Sequence, residues 1–236
     1  AVLIKNPAWR LIEAVKTLRD PDGNILINDW YDEVVPLSKK DLELIKKEPF
    51  DQNVFKKEFG IKSFVANKKN LDAKKALVGD ATCNIAGFVS GYTGDGAKTV
   101  LPGNALVKID FRLVPNMDPK KQIIRLKKHL KLHGFSDVKI KIFHGEAAAR
   151  TDSSHPFVSQ VKDAADKTFG ESILNVSNAG TGPMYPFVDI LKSPCISIGS
   201  TYMFSRIHSP NEFARVDLLK KTTKCICLIM ENFGKN

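Results

Sequence analysis

The stretch that most constrains the fold is residues 98–116, because its second half alternates strictly between apolar and polar side chains. The apolar residues are Val107, Ile109, Phe111 and Leu113. The polar residues between them are Lys108, Asp110 and Arg112. Side chains in a strand alternate with period 2, so the pattern predicts a strand with one buried face. Pro102 and Gly103 predict a bend just before it. Near the end of the open face, the Arg112 guanidinium can form a forked contact with a carboxylate; a solvated strand arginine is the alternative.

Composition limits the class of protein without choosing a partner. A length of 236 residues allows one large domain or two small ones, and 43% hydrophobic against 26% charged residues indicates a globular rather than a disordered chain. The net charge of +10 permits attraction to nucleic acid, anionic lipid or acidic substrates. Since the lysines are dispersed along the chain, the charge demands none of these partners.

The four cysteines show neither metal-ligand spacing nor a disulfide framework. We therefore expect reduced, buried thiols at Cys83, Cys195, Cys225 and Cys227. The sequence contains no recognisable signal peptide and no apolar run long enough to span a bilayer, so we expect a cytoplasmic protein without a membrane partner. The chain begins without Met and within an apolar pattern, and we expect an upstream part to be missing.

The first part of the chain predicts a small α+β layer. Asn6 and Asp118 are each followed by proline, which predicts helices that begin at Pro7 and Pro119. Residues 36–80 resemble a separate, mostly helical insert. The strands predicted at 82–90 and 98–114 should pair as an antiparallel hairpin, and a further strand is predicted at 138–142. This order of elements indicates an antiparallel sheet covered by helices.

The last part of the chain predicts a piece of an α/β sheet. The predicted elements are helices at 156–168, 183–191 and 215–233 and strands at 173–177 and 195–199. Sites in such sheets form at the carboxyl ends of strands. Gly180 and Thr181 lie in a glycine-rich loop whose amides can hold an anion if a helix follows. His208 lies in a polar loop, where a histidine on spacing alone is more often a surface residue than a ligand.

Three segments together resemble the metallopeptidase family M20, in particular its cytosolic dipeptidase and carnosinase branch. The segments are KTVLPGNALVKIDFRLVPNMDP at 98–119, NAGTGP at 178–183 and HSPNEF at 208–213. The resemblance implies an α+β lid domain, an antiparallel sheet with helices on one face, followed by part of an α/β zinc-peptidase catalytic domain. Residues 1–148 are then most of the lid and dimerisation domain, with 36–80 as its helical insert, and 149–236 are the last part of the catalytic domain.

The resemblance also implies roles for individual residues. His208 matches the family's final metal-binding histidine, a zinc ligand. Arg112 matches the lid arginine that holds the substrate carboxylate, and Thr99 matches the position that approaches the substrate from the partner's lid. Thr181, next to Gly180, matches the substrate-contacting serine of the Gly-Gly-Ser-Ile-Pro loop. An extra glycine in the loop of this sequence leaves its backbone geometry and specificity open.

The family's His-x-Asp pair, bridging Asp and Glu-Glu pair lie upstream in the family's sequences, and none is in this one. The implied function is therefore part of a peptidase that uses two zinc ions, or another divalent metal such as manganese, to hydrolyse a dipeptide or an N-acyl amino acid. We expect a homodimer formed through the lid, no nucleic-acid partner, and no activity from this chain alone. The alternative is a non-catalytic dimerisation or basic ligand-binding module. The substrate stays open, because dipeptidases, aminoacylases and deacetylases share these motifs.

Overall fold

The computed structural model describes residues 2–178, 180, 182–202 and 204–235. The chain divides into a first unit, Ala1–Leu37 with Phe50–Ala149, and a second unit, Ser38–Pro49 with Arg150–Asn236. The helices and strands are α1 (Pro7–Lys16), α2 (Lys39–Lys47), α3 (Gln52–Glu58), α4 (Asn70–Gly79), β1 (Thr82–Ser90), β2 (Ala105–Arg112), α5 (Pro119–Leu132), α6 (Pro156–Phe169) and α7 (Val216–Phe233). Among the described residues, no helix combines the length and the apolar character needed to cross a membrane.

The predicted antiparallel hairpin is confirmed, but its second strand is Ala105–Arg112 rather than 98–114, and residues 98–104 belong to the connecting loop. Cys83 pairs with Phe111 and Ile85 with Ile109, and a bulge between Ile85 and Gly87 shifts the register before the strands continue to the loop. Burial alternates residue by residue along β2, as the sequence pattern predicted. Because opposed residues of a ladder share a face, the register fixes which side chains of the hairpin point into the core.

The core of the first unit forms where the hairpin meets helices α1 and α5. Trp30 is only 2% exposed, and its ring centroid lies 5.0 Å from that of Phe111 at an angle of 42°. Met117 and Leu130 complete the same buried cluster. Each buried aromatic or aliphatic side chain of this kind contributes roughly 1.5–3 kcal/mol of burial energy, so this cluster is the main support of the unit.

Both predicted helix starts are confirmed by their caps. The Asn6 side chain accepts a hydrogen bond from the Ala8 amide at 2.8 Å, and the Asp118 side chain accepts one from the Lys120 amide at 2.8 Å. The following proline supplies the helical φ and has no amide hydrogen to satisfy, so the cap needs to serve fewer donors. These local signals are sufficient to begin α1 and α5 where the sequence places them.

The tautomer and charge of one buried histidine in the first unit follow from its hydrogen-bond partners. His129 is 2% exposed, and its Nε2 lies 3.0 Å from the Thr17 hydroxyl oxygen. Since the Thr17 hydroxyl donates to the Ala14 carbonyl at 2.7 Å, its oxygen must accept from Nε2–H. The other nitrogen, Nδ1, then carries a lone pair and is buried without a hydrogen-bond partner. Protonation would create a second donor with no acceptor, and burial, with the nearby His133 ring, lowers the pKa of His129.

The second unit contains the helix pair α6 and α7, and α2 is bonded to the segment that precedes α6. In α2, Ser38 and Asp41 form a capping box, each side chain accepting from the other's amide at 3.1 Å. Asp41 also accepts from the Ser153 hydroxyl at 3.2 Å and lies 3.9 Å from an Arg150 guanidinium nitrogen. The segment 36–80 is mostly helical, as predicted, yet its α2 belongs to the second unit while α3 and α4 belong to the first.

Several predicted elements of the chain are wrong. Residues 138–142, 173–177 and 195–199, all described, form no strand, and the helix predicted from Pro183 is a single π-helical turn at Pro186–Ile190. The described part of the chain contains one two-stranded sheet. A strand exists only where a neighbour completes its hydrogen-bond ladder, so an apolar alternating run without such a neighbour stays extended but irregular.

The four cysteines are free thiols. Burial raises the pKa of Cys83 to about 11, so this thiol stays protonated and unreactive at neutral pH. Cys225 is also buried, whereas Cys227 is exposed, which corrects the expectation that all four are buried.

The buried neutral His129 predicts a loss of stability in mild acid. Its folded-state pKa lies below the unfolded value of about 6.5, so the unfolded chain binds the proton first. The stabilisation is complete above about pH 6.5 and is lost as the pH falls toward and through the folded-state pKa. Amide exchange of α5 between pH 7.5 and 5 measures this, and His129→Gln should remove that pH dependence. The exposed His144→Gln serves as the control; equal pH dependence in the wild type and His129→Gln contradicts the assignment.

Removal of the Asp41 carboxylate should destabilise the second unit. Asp41→Ala deletes the acceptor of the capping box and of the Ser153 hydroxyl, at an expected cost of about 1–3 kcal/mol. The matched control is Glu43→Ala, an exposed acid in the same helix, which should cost less than about 0.5 kcal/mol. Denaturant unfolding followed in the second unit reads both values, and equal costs for the two variants would contradict this role of Asp41.

Candidate metal and substrate site

Arg112 is the last residue of β2 and lies opposite Thr82 at the start of β1. Its Nε donates to the Asp110 carboxylate at 2.8 Å, and the two side chains are about half exposed. Because Asp110 stands two residues earlier in the strand, both side chains lie on the same face of the sheet. The contact orients the guanidinium at the strand end through its Nε. A planar guanidinium can form forked contacts with a carboxylate.

Thr99 lies in the exposed loop between the two strands, residues 91–104. The Ser90 hydroxyl donates to the Asn104 carbonyl at 2.8 Å and closes the base of the loop. The Val100 amide donates to the Lys98 carbonyl at 3.0 Å, which makes a three-residue turn with Thr99 at its centre. A residue at the centre of such a turn projects away from the chain on either side of it.

The hairpin holds these two candidate residues at opposite ends. The loop that carries Thr99 leaves the sheet at the Ser90–Ala105 pair, whereas Arg112 closes the other end opposite Thr82. From Ala105 to Arg112 the strand advances seven residues, or about 23 Å at roughly 3.3 Å per residue. Within the first unit, therefore, the structure does not bring Thr99 and Arg112 together.

In the glycine-rich loop of the second unit, the described hydrogen bond joins two residues of the loop itself. The Gly180 amide donates to the Asn178 side-chain oxygen at 2.9 Å, an Asx turn. Thr181 lies outside the described residues. The Gly180 amide is already bonded, and no regular α-helix follows directly, so the described residues of the loop show no anion cradle at a helix start.

His208 lies in a closed loop of the second unit. The Phe213 amide donates to the carbonyl of Ser205 at 3.1 Å, and Ser205 is 1% exposed, so the ends of the loop are fixed. His208 itself is exposed and has a left-handed backbone with φ of 60°. Its amide points at the Glu212 carboxylate, 3.4 Å away. A positive φ is uncommon for a residue with a side chain, but Arg206 and Asn211 in the same loop also have one, so it reflects the tight course of this loop.

One imidazole does not make a metal centre. A catalytic zinc normally takes three protein ligands and a water, and within the described residues no group of three or more His, Cys, Asp or Glu side chains could hold a metal ion. His208 is exposed and fits as one ligand of such a centre, while the described residues alone do not fit a complete one.

Sequence reasoning missed two side chains that the structure brings to these candidates. Glu212 accepts a hydrogen bond from the amide of His208. From the sequence, no function is assigned to this residue of the HSPNEF segment. Tyr92 packs inside the loop that carries Thr99, and the only signal for it was an aromatic residue among glycines. The Asp110–Arg112 pair was visible in principle, because residues at i and i+2 of a strand share a face.

Comparison with known proteins shows to which family the chain belongs. Residues 12–232 match the family described as Peptidase family M20/M25/M40. The chain belongs to this family. Among curated relatives, the Cys-Gly metallodipeptidase DUG1 of Saccharomyces cerevisiae is 28% identical over 167 residues, 71% of this chain and 33% of the relative. The Beta-Ala-His dipeptidase of Homo sapiens is 26% identical over 161 residues, 68% of this chain and 31% of the relative.

Solved structures share the fold over nearly the whole chain. An M20 family metallo-carboxypeptidase from Sulfolobus solfataricus, Sso-CP2, matches with a TM-score of 0.86 and 35% identity, over 98% of this chain and 53% of that one. The di-peptidase Dug1p of Saccharomyces cerevisiae matches with a TM-score of 0.84 at 21% identity, over 99% of this chain and 50% of that one, which shows the fold. The chain thus spans about a third of those curated relatives in the matched sequence and about half of the solved chains.

Proposed function

We propose that the protein carrying this chain is a zinc-dependent peptidase that hydrolyses the amide bond of a dipeptide or of an N-acyl amino acid. Membership of the peptidase family supports the reaction class, and two relatives named as dipeptidases support the substrate class. The observation that carries the proposal is the oriented, half-exposed guanidinium of Arg112 at the end of β2. A planar fork in this position suits the free carboxylate that a dipeptide and an N-acyl amino acid share.

In this proposal the two parts of the chain have different roles. Residues 1–148 are most of a lid domain and 149–236 the last part of a catalytic α/β domain. The first unit supports this by its hairpin and covering helices, and the change of unit at Ala149 and Arg150 falls beside the proposed boundary. The helical insert at 36–80 contributes α3 and α4 to the first unit, and its α2 groups with the second.

His208 supplies one ligand to the metal, and the remaining ligands come from outside this chain. A metal of this kind, zinc or another divalent ion such as manganese, lowers the pKa of a bound water and so supplies the nucleophile. The residues of this chain do the binding and orienting: Arg112 holds the substrate carboxylate, and Thr99, Gly180 and Thr181 contact the substrate. Because both hydroxyls are short and neutral, they suit hydrogen bonds to the amide rather than charge neutralisation.

The active form in this proposal is a homodimer joined through the lid. The separation of Thr99 from Arg112 along the hairpin supports it, since one dipeptide is far shorter than the strand between them. The cross-strand pair Val89 and Leu106 is more than half exposed, so apolar hairpin surface is available to a second copy. A cytoplasmic location is part of the proposal, and four free thiols are in keeping with a reducing compartment.

Loss of the Arg112 guanidinium should weaken hydrolysis in the full-length protein. Arg112→Ala removes a charge-assisted pair worth roughly 1.5–3 kcal/mol, so kcat/KM for dipeptides should fall about ten- to a hundredfold. Arg112→Lys should recover only part of this, because an ammonium lacks the planar fork. Lys108→Ala, on the same face of β2, is the matched control and should leave kcat/KM within about twofold. If Arg112→Ala and Lys108→Ala behave alike, Arg112 is a solvated strand arginine.

The chain alone should neither hydrolyse dipeptides nor hold zinc tightly. A single imidazole cannot fix the coordination geometry that a catalytic zinc needs. Calorimetric titration of the chain with zinc, beside a dipeptide assay, tests this. Stoichiometric submicromolar zinc binding with turnover would contradict the assignment of His208 as its one metal ligand.

A further inference from the structure

The loop between β1 and β2, residues 91–104, contains one aromatic side chain with three separate contacts. The Tyr92 hydroxyl donates to the Asp95 carbonyl at 3.0 Å. The Lys98 ammonium lies 5.4 Å from the centre of the Tyr92 ring, within cation–π range. The tyrosine thereby connects the start of the loop with its middle and with the residue that precedes Thr99.

The third contact of Tyr92 is with Gly94, where its hydroxyl leaves no space for a larger residue. A Cβ at Gly94 would lie 2.6 Å from the Tyr92 hydroxyl oxygen, a distance that real Cβ atoms do not reach. Tyr92 therefore packs directly against the backbone of Gly94, and a larger residue there would push the ring away. Removal of the ring and substitution of the glycine should consequently disturb the same arrangement.

These contacts converge on the turn that presents Thr99. Lys98 folds back onto the Tyr92 ring, and its carbonyl accepts from the Val100 amide at 3.0 Å, with Thr99 between them. Ser90 and Asn104 fix the base of the loop. A long exposed loop would otherwise sample many conformations, and ordering it only upon binding would cost affinity.

We propose that Tyr92 is a positioning residue for the peptidase reaction: its contacts with Gly94, Asp95 and Lys98 hold the loop so that Thr99 meets the substrate. This inference rests on the proposed function, in which Thr99 contacts the substrate. Tyr92 does not touch the substrate itself and acts through Thr99. Its contribution should therefore vanish when the Thr99 hydroxyl is absent.

A double-mutant cycle in the full-length protein tests this coupling. Tyr92→Ala should lower kcat/KM for a dipeptide roughly tenfold, since small misplacements of a contacting group are costly. Tyr92→Phe, which keeps the ring and loses only the bond to Asp95, should cost less. In the Thr99→Ala background, Tyr92→Ala should cause no further loss. Equal losses in both backgrounds, or no loss in either, overturn the inference.

Tyr31→Phe is the matched control, because the Tyr31 hydroxyl also bonds a backbone group, the Ile25 amide at 2.9 Å, outside the loop. It should lower stability and leave kcat/KM unchanged. Amide exchange at Val100 gives a readout independent of activity: Tyr92→Ala should accelerate it and Tyr31→Phe should not. A wild-type protein that hydrolyses neither dipeptides nor N-acyl amino acids overturns the proposed function and the catalytic part of this inference, while the exchange rates still decide whether Tyr92 orders the loop.

Discussion

The ladder between β1 and β2 is the constraint on which the first unit depends. Its register, with Cys83 opposite Phe111 and Ile85 opposite Ile109, decides which side chains enter the core beside Trp30. A slip of one residue would turn Phe111 outward and bring Arg112 inward, where an unpaired guanidinium is costly. The same register sets the length of strand between the loop and Arg112. The fold of the first unit and the positions of its candidate residues thus follow from a single pairing.

Buried polar groups place further limits on both units. Asp41 is buried with its carboxylate bonded to Ser38 and Ser153, so its charge is compensated within the second unit. His129 is also buried, but it remains neutral, and its Nε2 is bonded to the Thr17 hydroxyl. Each case follows the rule that a buried polar group is bonded or uncharged. The Ser38–Asp41 capping box is local, but the bonds of Asp41 with Ser153 and of His129 with Thr17 were not visible in the sequence, because each joins residues 112 positions apart.

What the sequence predicted correctly was local. Helix α5 was predicted from the Asp118 cap and the proline that follows it, which are adjacent in the chain. Strand β2 was predicted from strict alternation, and its partner β1 is the strand directly before it in the sequence. The strands predicted at 138–142, 173–177 and 195–199 failed because a strand also needs a distant partner. The candidate roles of Thr99, Arg112 and His208 came from family resemblance, since an arginine or histidine pattern alone leaves a solvated residue as the alternative. The contacts of Tyr92 needed three-dimensional coordinates, because no periodicity connects it with Lys98.

The central claim is that Thr99 and Arg112, at opposite ends of one hairpin, serve different active sites of a dimer. The most direct measurement is the dipeptidase activity of a mixed dimer of the full-length protein, one protomer carrying Thr99→Ala and its partner Arg112→Ala. If each site combines Arg112 of one protomer with Thr99 of the other, the mixed dimer contains one intact site. It should then recover about half of the wild-type activity, although both parent homodimers are impaired. A mixed dimer no more active than its parents would contradict the account, since both residues would then act within the same protomer.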